Sequence, residues 1–258
     1  MITTIKKILY KTLPTDLYLE VLTSAYFVGF NLGLFKKNRR LEFPYFLPKI
    51  IKEGDTCIDI GANLGHYTVP IAKIVGTTGK VYAVEPVSEM RKVLLKKISK
   101  FNNVEVLPYA LGEENKPIRL GNDSIKEKGF MATGRHYVLN SQDKHAAIEF
   151  NAEMRKGSEL FANLDRINFI KCDIEGYELV VFIEMEMIIK KHLPLVYVET
   201  QGDNRKKMIK FFQELGYTPY VIYRGKLYLA KENEPWDILF IHEIHKENLK
   251  KYIAGFTS

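Results

Sequence analysis

Four carboxylates stand at the ends of short apolar runs, where an acid can bind a ligand or accept a proton. They are Asp59, Glu85, Asp173 and Glu199. The carboxyl ends of parallel strands meet at one edge of a sheet, and ligands of such sheets bind beyond that edge. If the runs are parallel strands, the four side chains converge there. We therefore expect one polar site rather than four unrelated surface acids.

The first of these runs leads into a glycine turn, which reads Gly-Ala-Asn-Leu-Gly at residues 61–65. A strand, a glycine turn and a helix N-terminus in this order form a cradle for a nucleotide cofactor. Dinucleotide-binding turns have a second glycine that lets the backbone approach a pyrophosphate, and Asn63 stands in its place. S-adenosylmethionine (SAM) has no pyrophosphate, so the turn favours SAM over NAD. Asp59 would then hold the methionyl ammonium, directly or through water, and Glu85 the ribose.

A second cluster of ionisable residues, Lys171, Asp173 and Glu175, precedes Gly176, which allows a sharp turn into the next helical pattern. Lys171 and Asp173 share one strand face, because side chains alternate along a strand. Methyl transfer from a sulfonium to an alcohol requires removal of the hydroxyl proton and alignment of the reacting atoms. Alignment alone contributes on the order of 7–11 kcal/mol, and a placed base roughly 10²–10⁴-fold in rate. Asp173 and Glu175 are therefore candidate bases, with Lys171 to orient or neutralise them; a purely structural ion cluster is the alternative.

The composition is typical of an ordinary globular protein. Of the 258 residues, 46% are hydrophobic and 27% are charged. This length permits one large α/β domain with additions. The net charge is +7 without a long run of like charges, which indicates a solvated basic surface. An anionic substrate or a membrane headgroup surface is the alternative explanation of the charge.

Only two cysteines occur, Cys57 and Cys172, and each lies in a predicted strand. This is no disulfide framework and favours a reducing, cytoplasmic compartment. No signal peptide is expected, since the lysines near the N-terminus precede no long apolar core. The longest apolar window, Val21–Phe35, falls short of the ~20 residues that span a bilayer. His242 and His245 have no cysteine or carboxylate at metal-ligand spacing, so no zinc site is expected. No metal ligand is assigned, and a divalent ion held by Asp173 with Glu199 or Glu175 is the alternative.

The chain divides into a helical N-terminal extension (1–50), a central domain (51–245) with an insertion at about 112–156, and a C-terminal helix or tail (246–258). The extension is amphipathic, with aromatic residues among lysines. It either caps the core or lies on a membrane surface, with contact through residues 1–40. An insertion this long inside a compact domain is usually functional or mobile, and we interpret it as a flap on the substrate side.

Within the central domain, strand patterns alternate with helical patterns, as in right-handed βαβ units with a parallel sheet. The alternation predicts a doubly wound α/β fold with a seven-stranded sheet. A long helix is predicted at Tyr177–Lys191. The predicted strands are Thr56–Ile60, Lys80–Val84, Val104–Leu107, Ile167–Cys172, Leu195–Glu199, Thr218–Tyr223 and Ile238–His242.

Three motifs of the central domain occur together: Asp-x-Gly-Ala-Asn-x-Gly-x-Tyr-Thr at 59–68, Val-Glu-Pro at 84–86 and Lys-x-Asp-x-Glu-Gly-x-Glu at 171–178. In this combination the chain resembles the FkbM family of SAM-dependent methyltransferases, over about residues 55–223. The resemblance implies a class I methyltransferase (Rossmann-like) fold and an O-methyltransferase that acts on sugar or polyketide hydroxyls. The chain departs from the family in the extension and in the insertion, where we expect the choice of acceptor to lie.

By this resemblance, the glycine turn lines the methionyl side of the SAM site, and the region 103–111 approaches the adenine. Lys171, Asp173 and Glu175 would face the methyl group and the acceptor, and Glu199 joins them as a catalytic candidate. The residues expected to bind the cofactor are Asp59, Gly61, Ala62, Asn63, Gly65, Tyr67, Thr68, Glu85, Pro86, Asn103, Ala110 and Asp173.

These observations predict a SAM-dependent O-methyltransferase whose acceptor is a hydroxyl of a carbohydrate or glycan-type molecule. The alternatives are another small-molecule acceptor, a nucleic acid, or a non-catalytic SAM-fold module on a membrane. A nucleic-acid acceptor would explain the basic surface, but the Asn/Asp-Pro-Pro-Tyr-like motif of base-directed enzymes is absent. The expected location is cytoplasmic, with peripheral membrane contact as the alternative. The sequence predicts no oligomeric state.

Overall fold

The structure is a computed structural model that describes residues 2–139, 145–200 and 202–255. The helices are α1 (Ile2–Thr12), α2 (Thr15–Asn31), α3 (Phe43–Phe46), α4 (Thr68–Val75), α5 (Ser88–Ile98), α6 (Ser124–Lys128), α7 (Gly157–Leu160), α8 (Glu178–Glu184), α9 (Glu186–His192), α10 (Gly202–Glu214) and α11 (Glu243–Leu249). The strands are β1 (Thr56–Ile60), β2 (Lys80–Val84), β3 (Val104–Leu107), β4 (Tyr109–Leu111), β5 (Lys116–Asn122), β6 (Tyr137–Val138), β7 (Ile148–Arg155), β8 (Phe169–Cys172), β9 (Leu195–Val198), β10 (Tyr217–Tyr223), β11 (Lys226–Leu229) and β12 (Ile238–His242).

The main sheet has the strand order β11-β10-β12-β9-β8-β1-β2-β3. Five neighbouring strands, β9, β8, β1, β2 and β3, run parallel, and β12 is antiparallel to both β9 and β10. All seven predicted strands are present in this sheet, and the doubly wound α/β prediction is confirmed. The count of seven was wrong, because β11 adds an eighth, antiparallel edge strand.

The missed strand follows β10 through a two-residue turn. Arg224 and Gly225 both have positive φ, 50° and 69°, the backbone that a tight hairpin requires. An Arg-Gly pair lacks the Asn-Gly or Asp-Gly signal that marks such turns in a sequence. The predicted long helix is also two helices, α8 and α9, which are separated at Met185.

The centre of the main sheet is buried on both faces, since helices cover it on either side. Strand β1 lies between β2 and β8, and Cys57, Ile58, Asp59 and Ile60 have almost no solvent exposure. Parallel strands covered in this way have near-continuous apolar sequences. The one charged side chain in β1 is therefore buried, and it requires partners within the protein.

The insertion folds into a second, four-stranded sheet with the order β4-β7-β5-β6. Its longest ladder is antiparallel and runs from Lys116 opposite Met154 to Asn122 opposite Ile148. The sheet continues directly from the end of β3, because only Pro108 separates β3 from β4. The insertion is thus fixed beside the carboxyl ends of β1 and β2.

The N-terminal extension is helical, as predicted, and one of its faces packs on the rest of the protein. Tyr18 and Leu19 of α2 have no solvent exposure, and the Tyr18 hydroxyl donates a hydrogen bond to the carbonyl of Met131. Lys96 of α5 forms an ion pair with Glu20 of α2. In the part of the chain that is described, every helix is too short or too polar to cross a membrane.

Candidate active site

A first cavity, of about 270 Å³, opens at the carboxyl ends of β1, β2 and β8. Several predicted site residues line it together: Gly61, Asn63, Glu85, Pro86, Ala110, Asp173 and Glu175. The insertion forms the facing wall, through Leu120, Thr133, Gly134, His136, Tyr137 and Val138. The insertion thus covers the first cavity beside the glycine turn, and its role as a flap on the substrate side stays a prediction.

The glycine turn fits closely against the end of β8. Gly61 has a φ of 74°, and a Cβ atom there would lie 2.0 Å from the carbonyl oxygen of Asp173. Asn63 also has a positive φ, 52°, which Asn tolerates better than most residues. Its Nδ2 donates to the carbonyl of Thr133 (2.8 Å), while its Oδ1 has no hydrogen-bond partner. The turn therefore presents an unused acceptor at the first cavity.

Glu85 directly follows β2, and two backbone N–H groups hold its carboxylate in place. Its Oε2 accepts from the N–H of Asn63 and its Oε1 from the N–H of Val87, both at 2.8 Å. Burial raises the pKa of Glu85 to about 7, although these two hydrogen bonds lower it. Each carboxylate oxygen keeps a second lone pair. The side chain is thus fixed in place and can still accept hydrogen bonds from a ligand's hydroxyl groups.

Beneath the turn lies a buried set of polar side chains. The Nζ of Lys171 donates to the carbonyl of Gly61 (2.8 Å) and lies 3.4 Å from Asp59 Oδ1 and 3.6 Å from Asp173 Oδ2. Thr68 donates its hydroxyl hydrogen to Asp59 Oδ2 (2.6 Å). Burial lowers the pKa of Lys171, but the negative charges of Asp173 and Asp59 have the larger combined effect. The pKa of Lys171 is therefore raised.

Asp59 and Thr68 have no solvent exposure and line neither cavity of the site. Asp59 therefore faces neither cavity, and its contact with the cofactor, directly or through water, stays a prediction. Its carboxylate is used by the protein itself, since Lys171 and Thr68 compensate its burial. Asp59 and Thr68 position Lys171 and the turn.

A second cavity, of about 310 Å³, lies on the other side of Asp173. Its walls come from six separate parts of the chain. The lining residues are Tyr26, Arg40, Leu41, Pro44, His66, Tyr67, Asp173, Glu199, Pro235, Trp236 and Asp237. Asp173 is shared by both cavities, whereas Glu175 lines only the first and Glu199 only the second.

The carboxyl groups around Asp173 hold their protons more tightly than usual. Burial, followed by a hydrogen bond to Asp173 and its charge, raises the pKa of Glu199 to about 9. Burial raises the pKa of Asp237 to about 6, against a hydrogen bond from Tyr197 (2.8 Å) that lowers it. Burial and the charge of Asp173 raise the pKa of Glu175 to about 7. The raised pKa of Glu199 thus favours its protonated form beside Asp173.

The turn after β8 is held by the last acid of its motif, Glu178. Its carboxylate accepts hydrogen bonds from the backbone N–H groups of Ile174 (2.9 Å) and Gly176 (3.0 Å). Glu175 has a φ of 59° and Gly176 a φ of 103°, which is a costly conformation for Glu. Glu178 thus stabilises the backbone that carries the candidate bases. Our prediction omitted it from the site, although it is present in the motif.

Besides Asp59 and Thr68, four further predicted cofactor residues lie outside the first cavity. Asn103 stands at the amino end of β3, and its Nδ2 donates to the carbonyls of Ala72 (2.8 Å) and Gly76 (2.7 Å) at the end of α4. Its expected approach to the adenine is therefore wrong. Tyr67 lines the second cavity, not the first. Ala62 and Gly65 are buried under the turn and line neither cavity.

The second cavity contains the residues that sequence reasoning missed. Trp236 and Asp237 precede β12, and Tyr26 and Arg40 come from the extension. His66 packs against the Tyr26 ring with 4.1 Å between centroids. Burial lowers the pKa of His66 to about 4, so this ring is neutral. No local signal joins these residues, because they meet only when the extension packs on the sheet.

Within residues 2–139, 145–200 and 202–255, no group of three His, Cys, Asp or Glu side chains is arranged to hold a metal ion.

The first cavity has a distinctive charge. None of its described lining residues is Lys or Arg, whereas Glu85, Asp173 and Glu175 are acids. A cationic ligand suits this cavity better than a pyrophosphate, because like charges at close range repel.

Comparison with known proteins points to one family. The family model described as "Methyltransferase FkbM domain" matches residues 59–219. The crystal structure of methyltransferase FkbM from Methylobacillus flagellatus KT superposes with a TM-score of 0.51 at 15% identity, and the match covers 74% of this chain and 44% of that chain. This chain thus corresponds to less than half the length of that protein.

Further solved structures are similar at lower scores. Aeropyrum pernix fibrillarin, crystallised with natively bound S-adenosyl-L-methionine, has a TM-score of 0.43 at 12% identity, over 74% of this chain and 67% of that chain. An rRNA methylase from Streptococcus thermophilus has a TM-score of 0.44 at 11% identity, over 79% of this chain and 95% of that chain. Among curated proteins, no sequence matches this chain.

Proposed function

Because this chain belongs to the FkbM family of methyltransferases, we propose that it transfers a methyl group from SAM to a hydroxyl of a carbohydrate or glycan-type acceptor. The observation that carries the proposal is the position of Asp173, which lines both cavities of the site. A base between a donor cavity and an acceptor cavity can reach the hydroxyl at the moment the methyl group moves.

The first cavity fits SAM by its chemistry. Glu85 can accept hydrogen bonds from both ribose hydroxyls, and the free Oδ1 of Asn63 can accept one from the methionyl ammonium. The described lining of this cavity contains acids but no Lys or Arg. Such a lining favours a cationic sulfonium over the pyrophosphate of NAD. When bound, SAM supplies an electrophilic methyl group.

Asp173 is the better candidate for the base, and Glu175 the weaker one. Glu175 lines only the first cavity, so it does not reach the acceptor side. Asp173 accepts the hydroxyl proton of the acceptor while that oxygen takes the methyl group. Lys171, 3.6 Å from Asp173, and Glu199 in its protonated form keep the carboxylate of Asp173 in place.

The second cavity supports a polyhydroxylated acceptor. Trp236, Tyr26 and Tyr67 offer aromatic rings, and Glu199 and Asp237 offer carboxyl groups that can exchange hydrogen bonds with hydroxyls. Only one cation, Arg40, lies among the described lining residues, against three acids. A nucleic-acid acceptor is disfavoured, because phosphodiesters are bound by clusters of Lys and Arg.

The test of cofactor and base is calorimetry followed by single-turnover methylation. The wild-type chain is titrated with SAM, S-adenosylhomocysteine and NAD, and then screened with methyl-labelled SAM against sugar acceptors. We expect binding of the first two ligands and not of NAD. Asp173→Asn should lose roughly 10²–10⁴-fold in rate and still bind S-adenosylhomocysteine. Tight binding of NAD, or full activity of Asp173→Asn, would contradict the proposal.

A further inference from the structure

The outer face of α2 is unusually apolar for a surface helix. Seven of the fifteen large hydrophobic side chains that are exposed in the described chain lie between residues 5 and 34. They are Ile5, Ile8, Leu17, Val21, Val28, Leu32 and Leu34. A monomeric protein in water normally has such residues singly and scattered. This concentration therefore indicates a surface that another molecule covers.

Four of these side chains lie on one side of α2 and of its C-cap residue Leu32, and we call them the outer stripe: Leu17, Val21, Val28 and Leu32. At 3.6 residues per turn, they fall within about 60° of one another around the axis of α2. Val28 is 60% exposed and Leu32 is 69% exposed. The opposite face of the helix is already used, since Leu19 is buried in the protein and Tyr26 lines the second cavity. The helix is therefore apolar on both sides, and only one side is covered.

Basic residues flank the stripe at both of its ends. Before α2, the charged residues of α1 are all lysines: Lys6, Lys7 and Lys11. After α2, the four charged residues between Leu32 and Leu41 are Lys36, Lys37, Arg39 and Arg40. Among them Lys7, Lys11, Lys36 and Lys37 are exposed. An apolar face between groups of lysines is complementary to an anionic lipid surface, where acyl chains lie beside phosphate headgroups.

We propose that α1 and α2 dock the protein on an anionic membrane surface, with the outer stripe inserted at the level of the headgroups. The docked helix is also a wall of the second cavity, through Tyr26. The segment after it contributes Arg40 to that cavity, and Arg39 stacks on Trp236 with 3.8 Å from its guanidinium carbon to the ring centroid. Docking thus brings the second cavity within about one helix diameter, ~10 Å, of the lipid surface.

A consequence for the acceptor rests on the proposed function above: the glycan would be one attached to a lipid. Membrane binding itself does not depend on catalysis. The two claims can therefore fail separately, because vesicle binding is measured without an acceptor and SAM binding is measured without vesicles.

The experiment is co-sedimentation of the full chain with phosphatidylcholine vesicles, with and without phosphatidylglycerol. The test variant is Val28→Ser with Leu32→Ser. The matched control is Ile183→Ser with Met187→Ser, which removes two apolar side chains that are 53% and 71% exposed on α8 and α9. Urea denaturation checks that each variant is folded.

We expect the wild type to sediment with the anionic vesicles, and less so at high salt because the lysine contacts are screened. The test variant should bind roughly 100-fold more weakly, since each lost side chain contributes about tenfold, and the control should change less than about twofold. Absence of wild-type binding, or equal loss in both variants, would overturn the inference. A wild-type dimer in light scattering that Val28→Ser with Leu32→Ser converts to a monomer would also overturn it, because a second copy would then cover the stripe.

Discussion

Replacement of Glu199 by Gln tests the electrostatics of the site without any knowledge of the acceptor. In the folded protein the pKa of Glu199 rises from its usual 4.5 to about 9. At pH 7 only about one molecule in a hundred would have this group ionised. Gln has the shape of the protonated acid and can donate the same hydrogen bond to Asp173. The variant should therefore fold normally.

The sign of the pH effect follows from the raised pKa. The unfolded chain releases this proton above about pH 4.5, while the folded chain keeps it up to about pH 9. The contribution of Glu199 to the free energy of unfolding of the wild type is thus fully present below pH 4.5 and is lost as the pH rises toward 9. Glu199 releases at most one proton per molecule, so its effect on the free energy of unfolding cannot change by more than about 1.4 kcal/mol per pH unit. Because Glu199 is only partly buried, we expect Glu199→Gln to gain on the order of 1–2 kcal/mol over the wild type between pH 6 and pH 8.

The assay is urea denaturation of the wild type and Glu199→Gln at pH 6, 7 and 8. Other titrating groups cancel in the difference between the two proteins when they act independently. Glu214→Gln is the control, because the side chain of Glu214 is 66% exposed, and its difference from the wild type should stay constant with pH. A flat difference for Glu199→Gln as well would refute the protonated Glu199 and its hydrogen bond to Asp173.

Three further substitutions test individual parts of the site by urea denaturation. Gly61→Ala should lower the free energy of unfolding by about 3 kcal/mol or more, since its Cβ would overlap a carbonyl oxygen at 2.0 Å. Gly176 has open space around it, so Gly176→Ala should cost only about 1–2 kcal/mol for its positive φ. Lys171→Met should cost about 3–5 kcal/mol, because it leaves the buried carboxylate of Asp59 without its cation. Lys80→Met, at a half-buried position, should cost less than about 1 kcal/mol. Asn103→Ala should cost about 1–3 kcal/mol by leaving two helix-end carbonyls unsatisfied, with SAM affinity unchanged. Similar costs for the two glycines, a neutral Lys171→Met, or a loss of SAM affinity in Asn103→Ala would each contradict the role given to that residue.

The second cavity combines residues from the N-terminal extension and from the segment before the last strand. Asp173 lies at the end of a central strand, but the second cavity beside it is completed by Tyr26 and Arg40 from the extension and by Trp236 before the last strand. Class I sheets present their strand ends in a fixed order, whereas the segments that cover them are free to vary. Acceptor choice is therefore expected in these covering segments.

Local sequence was sufficient for the elements whose cause is local. Strands β1, β2, β3 and β12 have the predicted bounds, because apolar alternation and turn residues act between near neighbours. The same holds for the glycine turn, which connects β1 to α4 as the spacing predicts. The convergence of Glu85 and Asp173 on one cavity also followed from the sequence, since parallel strand ends share an edge.

Tertiary structure alone decided which polar groups a ligand can reach. Asp59 and Asn103 have the residue types of a cofactor site, yet burial commits the first to Lys171 and helix packing commits the second to the end of α4. The raised pKa of Glu199 depends on its burial beside Asp173. Burial, charge proximity and cavity walls come from residues far apart in the chain. A sequence pattern records only neighbours, so it could indicate where the site begins but not which side chains finally face it.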